Sequence, residues 1–234
     1  MNIPNSRRLW QKYPTLVGIV KTDYLAQKAF GRGHNILHSV MVAQYAELIA
    51  ETERVGELAW IAGIVHEPHR LFPGITREEI ERKLREYLAR GLPAGALTEA
   101  ETSAVVEAVR EHSKRNDPND NSVTVTLKDA DRLTSIGPYH WLNAAQFRST
   151  IPAVDPRFIM TSDPRATFKN PFSVLQDLKY TLEWESWLRL PKAKELGKPK
   201  FDAIRWYIGE LEKQFEILGL LPFPDVLVVE QPTV

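Results

Sequence analysis

The sequence predicts an all-α fold: one compact helical bundle over residues 1–234, with a long irregular loop near 151–172. Three observations predict it. Apolar residues recur at helical spacing, two Thr-x-x-Glu signals mark helix starts, and no series of short alternating strands appears. With 43% hydrophobic and 26% charged residues the composition is that of an ordinary globular chain, and 234 residues suffice for one large core.

The helices follow in order. His38, Val42, Tyr45 and Ile49 lie on one face of a helix expected to continue to about Glu53, so His38 points where the apolar residues point. Leu58 to Val65, "LAWIAGIV", is apolar throughout and reads as a helix buried on all sides, stopped soon after by Pro68. "TREE" at Thr76 and "TEAE" at Thr98 place Glu three residues after Thr, and the second helix runs to about His112. The polar turn "KRNDPNDNS" offers Asp120, Asn121 or Ser122 as the cap of the next helix. "VTVT" at 123–126 favours a strand by propensity, but Val123, Leu127, Ala130 and Leu133 keep helical spacing and decide for helix. Residues 151–172 contain four prolines and no period, as in a lid or binding loop. Helices over about 173–189 and 199–219 close the chain, and Trp184, Trp187, Trp206 and Tyr207 are expected to supply core area.

Charge and cysteine content bound the function. Thirty basic and thirty acidic residues cancel, which argues against a nucleic-acid partner but leaves room for a local phosphate patch. With no cysteine, disulfides and thiolate metal sites are excluded, so any metal is held by His, Asp, Glu or water. The first fourteen residues lack a signal-peptide core, and no apolar run reaches the roughly 18 residues of a membrane span. A cytoplasmic protein without a membrane partner is expected.

Three places set metal-capable side chains beside apolar helix faces: His34 and His38, His66 and Glu67, and Asp129 and Asp131. A carboxylate at a core-facing position calls for a cation, which a divalent ion, an arginine or a lysine can supply. By spacing alone the same residues serve equally well as satisfied core histidines and surface ion pairs.

Their order is more specific. "HNILHSVMVA", "IAGIVHEPHR" and "LKDADRLTSIGP" resemble the successive motifs of the HD-domain superfamily of metal-dependent phosphohydrolases, in its bacterial and archaeal predicted-phosphohydrolase branch. The resemblance implies a metal-site core over about 30–137 and one divalent ion (Mn, Co, Ni, Zn, Mg or Fe) held by His38, His66, Glu67 and Asp131. Asp129 competes with Asp131 for the last place and ranks below it, as a cap, an ion-pair partner or a neighbour of the ligands. The resemblance further implies that His34 supports the ligands or the substrate, and that Arg70, Lys128 and Arg132 are available for phosphate. His69, His112 and Asp129 are the candidates for proton transfer, with the Glu67 carboxylate at the centre of the chemistry. The expected partner is a small phosphorylated molecule such as a nucleotide, and homodimerisation is common in the family.

One departure stands out. Where the family has His-Asp, this chain has His66-Glu67, whose extra methylene moves the carboxylate by about 1.5 Å. The alternative to a phosphohydrolase is therefore a degenerate domain that binds a metal or nucleotide without efficient turnover. A two-iron oxygenase of the same superfamily is disfavoured, because only His69 and His112 lie between the doublet and the last motif.

Overall fold

The computed structural model describes residues 8–27 and 35–225, and these contain helices and irregular segments but no strand. The helices are α1 (Arg8–Lys12), α2 (Pro14–Ala26), α3 (Ile36–Ile49), α4 (Glu53–Val65), α5 (Pro68–Leu71), α6 (Arg77–Gly91), α7 (Glu99–Glu111), α8 (Ser122–Thr134), α9 (Pro138–Phe147), α10 (Val174–Thr181) and α11 (Pro191–Ile217). The main core lies where α3, α4, α7 and α8 meet, closed on one side by α2 and α6 and on another by α11.

Buried on all sides, α4 is the centre of this core: every residue from Gly56 to Val65 is withdrawn from solvent. Gly63 sets the spacing of α3 against it. A Cβ there would lie 2.7 Å from the Ala43 Cα and 2.8 Å from the Ala43 nitrogen, so only hydrogen lets the two backbones approach this closely. The N-terminal helices add Tyr13 and Trp10 around Trp60, the latter with ring centroids 5.6 Å apart at 87°.

Local signals account for most helix starts. Thr76 and Glu79 exchange hydrogen bonds of 2.8 and 3.2 Å at the head of α6, and Thr98 and Glu101 do the same at the head of α7. Of the three candidate caps for α8 it is Asn121 whose side chain accepts from the Thr124 amide, at 2.9 Å. Gly137, at φ +88°, supplies the left-handed turn between α8 and α9.

Several boundaries differ from the sequence reading. The first long helix ends at Ile49 rather than Glu53, because the Thr52 hydroxyl accepts from the Val55 amide and starts α4. The segment expected as one helix over 173–189 is α10 followed by a 3-10 stretch, Leu182–Trp187. The last helix begins at Pro191 rather than 199. Its buried face, Ala193, Gly197, Phe201 and Ile204, runs straight past Pro199, which sits on the exposed side where the carbonyl it leaves unpaired meets water. Helices α1, α2 and α9 were not anticipated. The aromatic expectation is corrected too: Trp206 is 64% exposed, Tyr207 is also exposed, and Trp184 and Trp187 are half-buried at the wall of a cleft.

The 151–172 segment is irregular as expected, apart from a 3-10 turn at Pro156–Phe158. It is nevertheless fastened to α10: the Val174 and Leu175 amides bond the Pro152 and Ala153 carbonyls, and the Gln176 side chain bonds Asp163 and Ser162.

Candidate metal centre

Three helices of the core each bring one part of the site. His38 stands in the first turn of α3, where Asn35 caps the helix by accepting from the His38 amide at 3.1 Å. His66 and Glu67 follow the last residue of α4, and Asp131 projects from α8. The His38 Nε2 lies 3.2 Å from His66 Nε2, 3.6 Å from Glu67 Oε1 and 3.3 Å from Asp131 Oδ1; His66 Nε2 lies 3.2 Å from Glu67 Oε1. Ligands about 2.1 Å from one ion stand about 3.0 Å apart at octahedral and about 3.4 Å at tetrahedral angles, so the separations among His38, His66 and Glu67 are close to the edges of a single coordination shell. Among the described residues His38, His66 and Glu67 form a buried group able to hold a metal, and Asp131 adjoins it.

The surroundings prepare these atoms. His66 Nδ1 lies 2.7 Å from the Gly63 carbonyl, which accepts the ring proton and leaves the Nε2 lone pair facing His38 and Glu67. Burial works against a charge on His38, but the Asp131 and Glu67 carboxylates outweigh it and raise its pKa to about 9. Burial also works against ionised Asp131, yet His38 and the other imidazoles hold it well below the usual carboxylate range. The pocket therefore demands positive charge at the place where the ligand atoms converge.

His112, at the end of α7, stands edge-on to His66 with ring centroids 5.1 Å apart, its Nδ1 2.6 Å from the Val109 carbonyl. Burial first, and then the neighbouring His66, lower its pKa to about 4, so it is neutral at pH 7. His69 Nε2 and Arg70 Nε approach the other Glu67 oxygen at 3.6 and 3.9 Å.

Two of the sequence candidates stand elsewhere. Asp129 is fully buried, but its Oδ2 accepts from the Arg189 and Leu190 amides at 2.8 Å each, and its Oδ1 lies 3.5 Å from Arg132; it holds the start of α11. Lys128 gives its ammonium to Asp120 at 2.8 Å and to the Arg115 carbonyl at 2.9 Å, beneath the surface, so it braces a loop instead of facing phosphate. Arg132 reaches the cleft wall while bonding Asn116 and the Trp187 carbonyl at 2.8 and 3.2 Å. His34 lies outside the described residues.

Glu67 and Asp131 open onto a cleft of about 560 Å³. The irregular segment, expected as a lid or binding loop, supplies Phe168 and Lys169 to its wall, whereas no motif revealed Arg115 before α8, Arg148 after α9, or Trp184 and Trp187 from the 3-10 stretch. Phe168 and Trp184 stand 5.5 Å apart, and Arg115 lies 4.8 Å from the Trp187 ring.

A family model described as "HD domain" matches residues 35–136, the stretch that contains His38, His66, Glu67 and Asp131. Residues 35–136 are an HD domain. Solved structures with the same HD-type fold include a Bacillus thuringiensis HD-superfamily hydrolase, at 16% identity and TM-score 0.63 over 89% of this chain and 98% of the other. A Lactobacillus plantarum protein gives 14% identity and TM-score 0.66 over 88% and 98%. Bacillus subtilis YpgQ, solved in complex with ADP, gives 19% identity and TM-score 0.57 over 85% and 97%. No curated protein matches the sequence. Within the described residues, no helix of this HD protein is long and apolar enough to cross a membrane.

Proposed function

We propose that this HD protein is a metal-dependent phosphohydrolase acting on a nucleotide or another small phosphate ester. The observation that carries the reading is the convergence of two imidazole nitrogens and the Glu67 carboxylate, at separations of 3.2–3.6 Å and with Asp131 3.3 Å from His38, on the edge of a cleft that also presents Arg70, Arg115, Arg132, Arg148 and Lys169. His38, His66, Glu67 and Asp131 would hold the ion. Bound there, a divalent ion supplies Lewis acidity toward a phosphoryl oxygen and lowers the pKa of water.

The protein's own groups do the rest. The Gly63 carbonyl fixes the His66 tautomer, and Glu67 and Asp131 oppose two buried imidazoles so that the site stays electrically balanced. Arg70, about half exposed beside Glu67, is positioned to receive phosphate charge. His112 is too weak a base to store a proton near pH 7 and serves instead as a neutral partner beside His66. Trp184, Trp187 and Phe168 favour an ester that carries a flat ring. ADP bound to YpgQ, a protein of the same fold, supports the nucleotide choice.

The alternative without turnover rests on Glu67. Its longer arm already carries Oε1 to 3.2 Å from His66 Nε2, which favours a site fitted to glutamate. The test is metal analysis on protein purified without chelator, for wild type and His66→Ala, followed by a nucleotide hydrolysis screen with the metal found. About one ion per chain in the wild type, lost in the variant, is expected. A wild type that fails to bind added Mn, Co, Ni, Zn or Mg would overturn the reading.

A further inference from the structure

None of the three groups that the sequence offers for proton transfer is suited to protonating a departing oxygen. Asp129 is occupied by the start of α11, His112 is held neutral, and His69 leans on Glu67. A different group stands in the right place. Asp177, on α10, is only 7% exposed, yet it lines the main cleft together with Glu67 and Asp131. It also lines a smaller cavity of about 50 Å³ whose other walls include His38, Ser135 and His140. That space holds only a few water molecules, so the carboxyl reaches the region of His38 without an intervening wall.

Its contacts suit a group that must exist with and without its proton. Arg148 donates to Asp177 Oδ1 at 3.1 Å, and the described residues make no hydrogen bond to Oδ2. Burial raises the pKa of the carboxyl, and Arg148 opposes this only in part. Asp177 also comes from a helix that carries none of the four ligands.

We propose that Asp177 is the general acid of this site and protonates the oxygen that leaves phosphorus. The proposal rests on the phosphohydrolase reading. In the step, water oxygen forms a bond to phosphorus and the bond from phosphorus to the ester oxygen breaks, its electron pair passing to that oxygen. The Asp177 carboxyl proton goes to the same oxygen, leaving a carboxylate paired with Arg148. The attacking water gives up a proton to solvent, and solvent returns one to Asp177.

Leaving-group dependence tests this, because a good leaving group departs without a proton and a poor one does not. The probes are 4-nitrophenyl phosphate against phenyl phosphate, and, as diesters, thymidine 5′-(4-nitrophenyl phosphate) against thymidine 5′-(phenyl phosphate). Asp177→Asn keeps the shape of the side chain and an acceptor for Arg148. It is expected to lose about 10²-fold on the phenyl ester and less than about threefold on the nitrophenyl ester, in whichever pair the wild type turns over. Retained nitrophenyl turnover shows that the variant is folded. Asp177→Glu, which keeps an acid, is expected to change the ratio between the two esters less. Equal losses on both esters would overturn the acid role while leaving the phosphohydrolase reading intact. A wild type that turns over neither pair would overturn both.

Discussion

Asp129 and Asp131 lie two positions apart on α8, and their separate fates can be measured. Replacing Asp129 by Ala removes two hydrogen bonds of 2.8 Å from the Arg189 and Leu190 amides and leaves one donor buried and the other partly buried. Hydrogen bonds to a charged acceptor contribute about 1.5–3 kcal/mol each, a gross effect of about 3–6 kcal/mol. Burial raises the Asp129 pKa, so desolvation offsets part of that gain and the expected net loss is about 2–4 kcal/mol. Asp131 is 24% exposed on its side chain and faces His38 at 3.3 Å. Asp131→Ala is expected to abolish metal binding. The assay is urea unfolding in excess chelator, beside metal titration of the folded proteins. A folded Asp129→Ala protein that cannot bind metal, next to an Asp131→Ala protein that can, would refute the assignment of these two carboxylates.

Three further outcomes are expected. Glu67→Asp draws the carboxylate back by about 1.5 Å from a position already 3.2 Å from His66 Nε2; hydrolysis should fall about 10²-fold, and a gain would mean that glutamate had weakened an aspartate site. Gly63→Ala drives a methyl into the Ala43 backbone and should cost about 1–3 kcal/mol, lowering Tm and weakening metal affinity because the same residue's carbonyl orients His66; an unchanged melting curve would contradict the close approach. His112 has its folded pKa lowered from 6.5 to about 4, so the unfolded chain binds more protons between those values. Its contribution is present above pH 6.5 and disappears as pH falls toward 4, a loss of about 3 kcal/mol, and an NMR titration placing His112 near 6.5 would refute it.

What could be read from the sequence was local. The apolar run in α4 and the capping pairs Thr76–Glu79 and Thr98–Glu101 are signals within one helix, and the structure contains them as expected. The all-α fold was legible because apolar residues keep helical spacing, and the HD resemblance because three motifs occur in order along about a hundred residues. Residues whose partners are distant in sequence were not legible. Asp129 and Asp131 point about 200° apart around α8, and only the amides at 189 and 190 show what the first one faces. Lys128 reads as a phosphate ligand until Asp120 closes on it. Arg148 and Asp177 meet across 29 positions with no motif to announce them. Pro199 looked like a boundary because a sequence does not reveal which side of α11 faces water.

The stretch that bears Trp184 and Trp187 is tied down largely through its own and the adjoining backbone. Asn116 and Arg132 take the Trp187 carbonyl, and Asp129 takes the two amides that follow Leu188. Anchors of this kind are indifferent to which side chains the stretch displays. Under the proposed function, the cleft can thus be relined for another phosphate ester by changing 184 or 187 while α8 keeps its grip, so substrate choice and the proposed metal site are free to change separately.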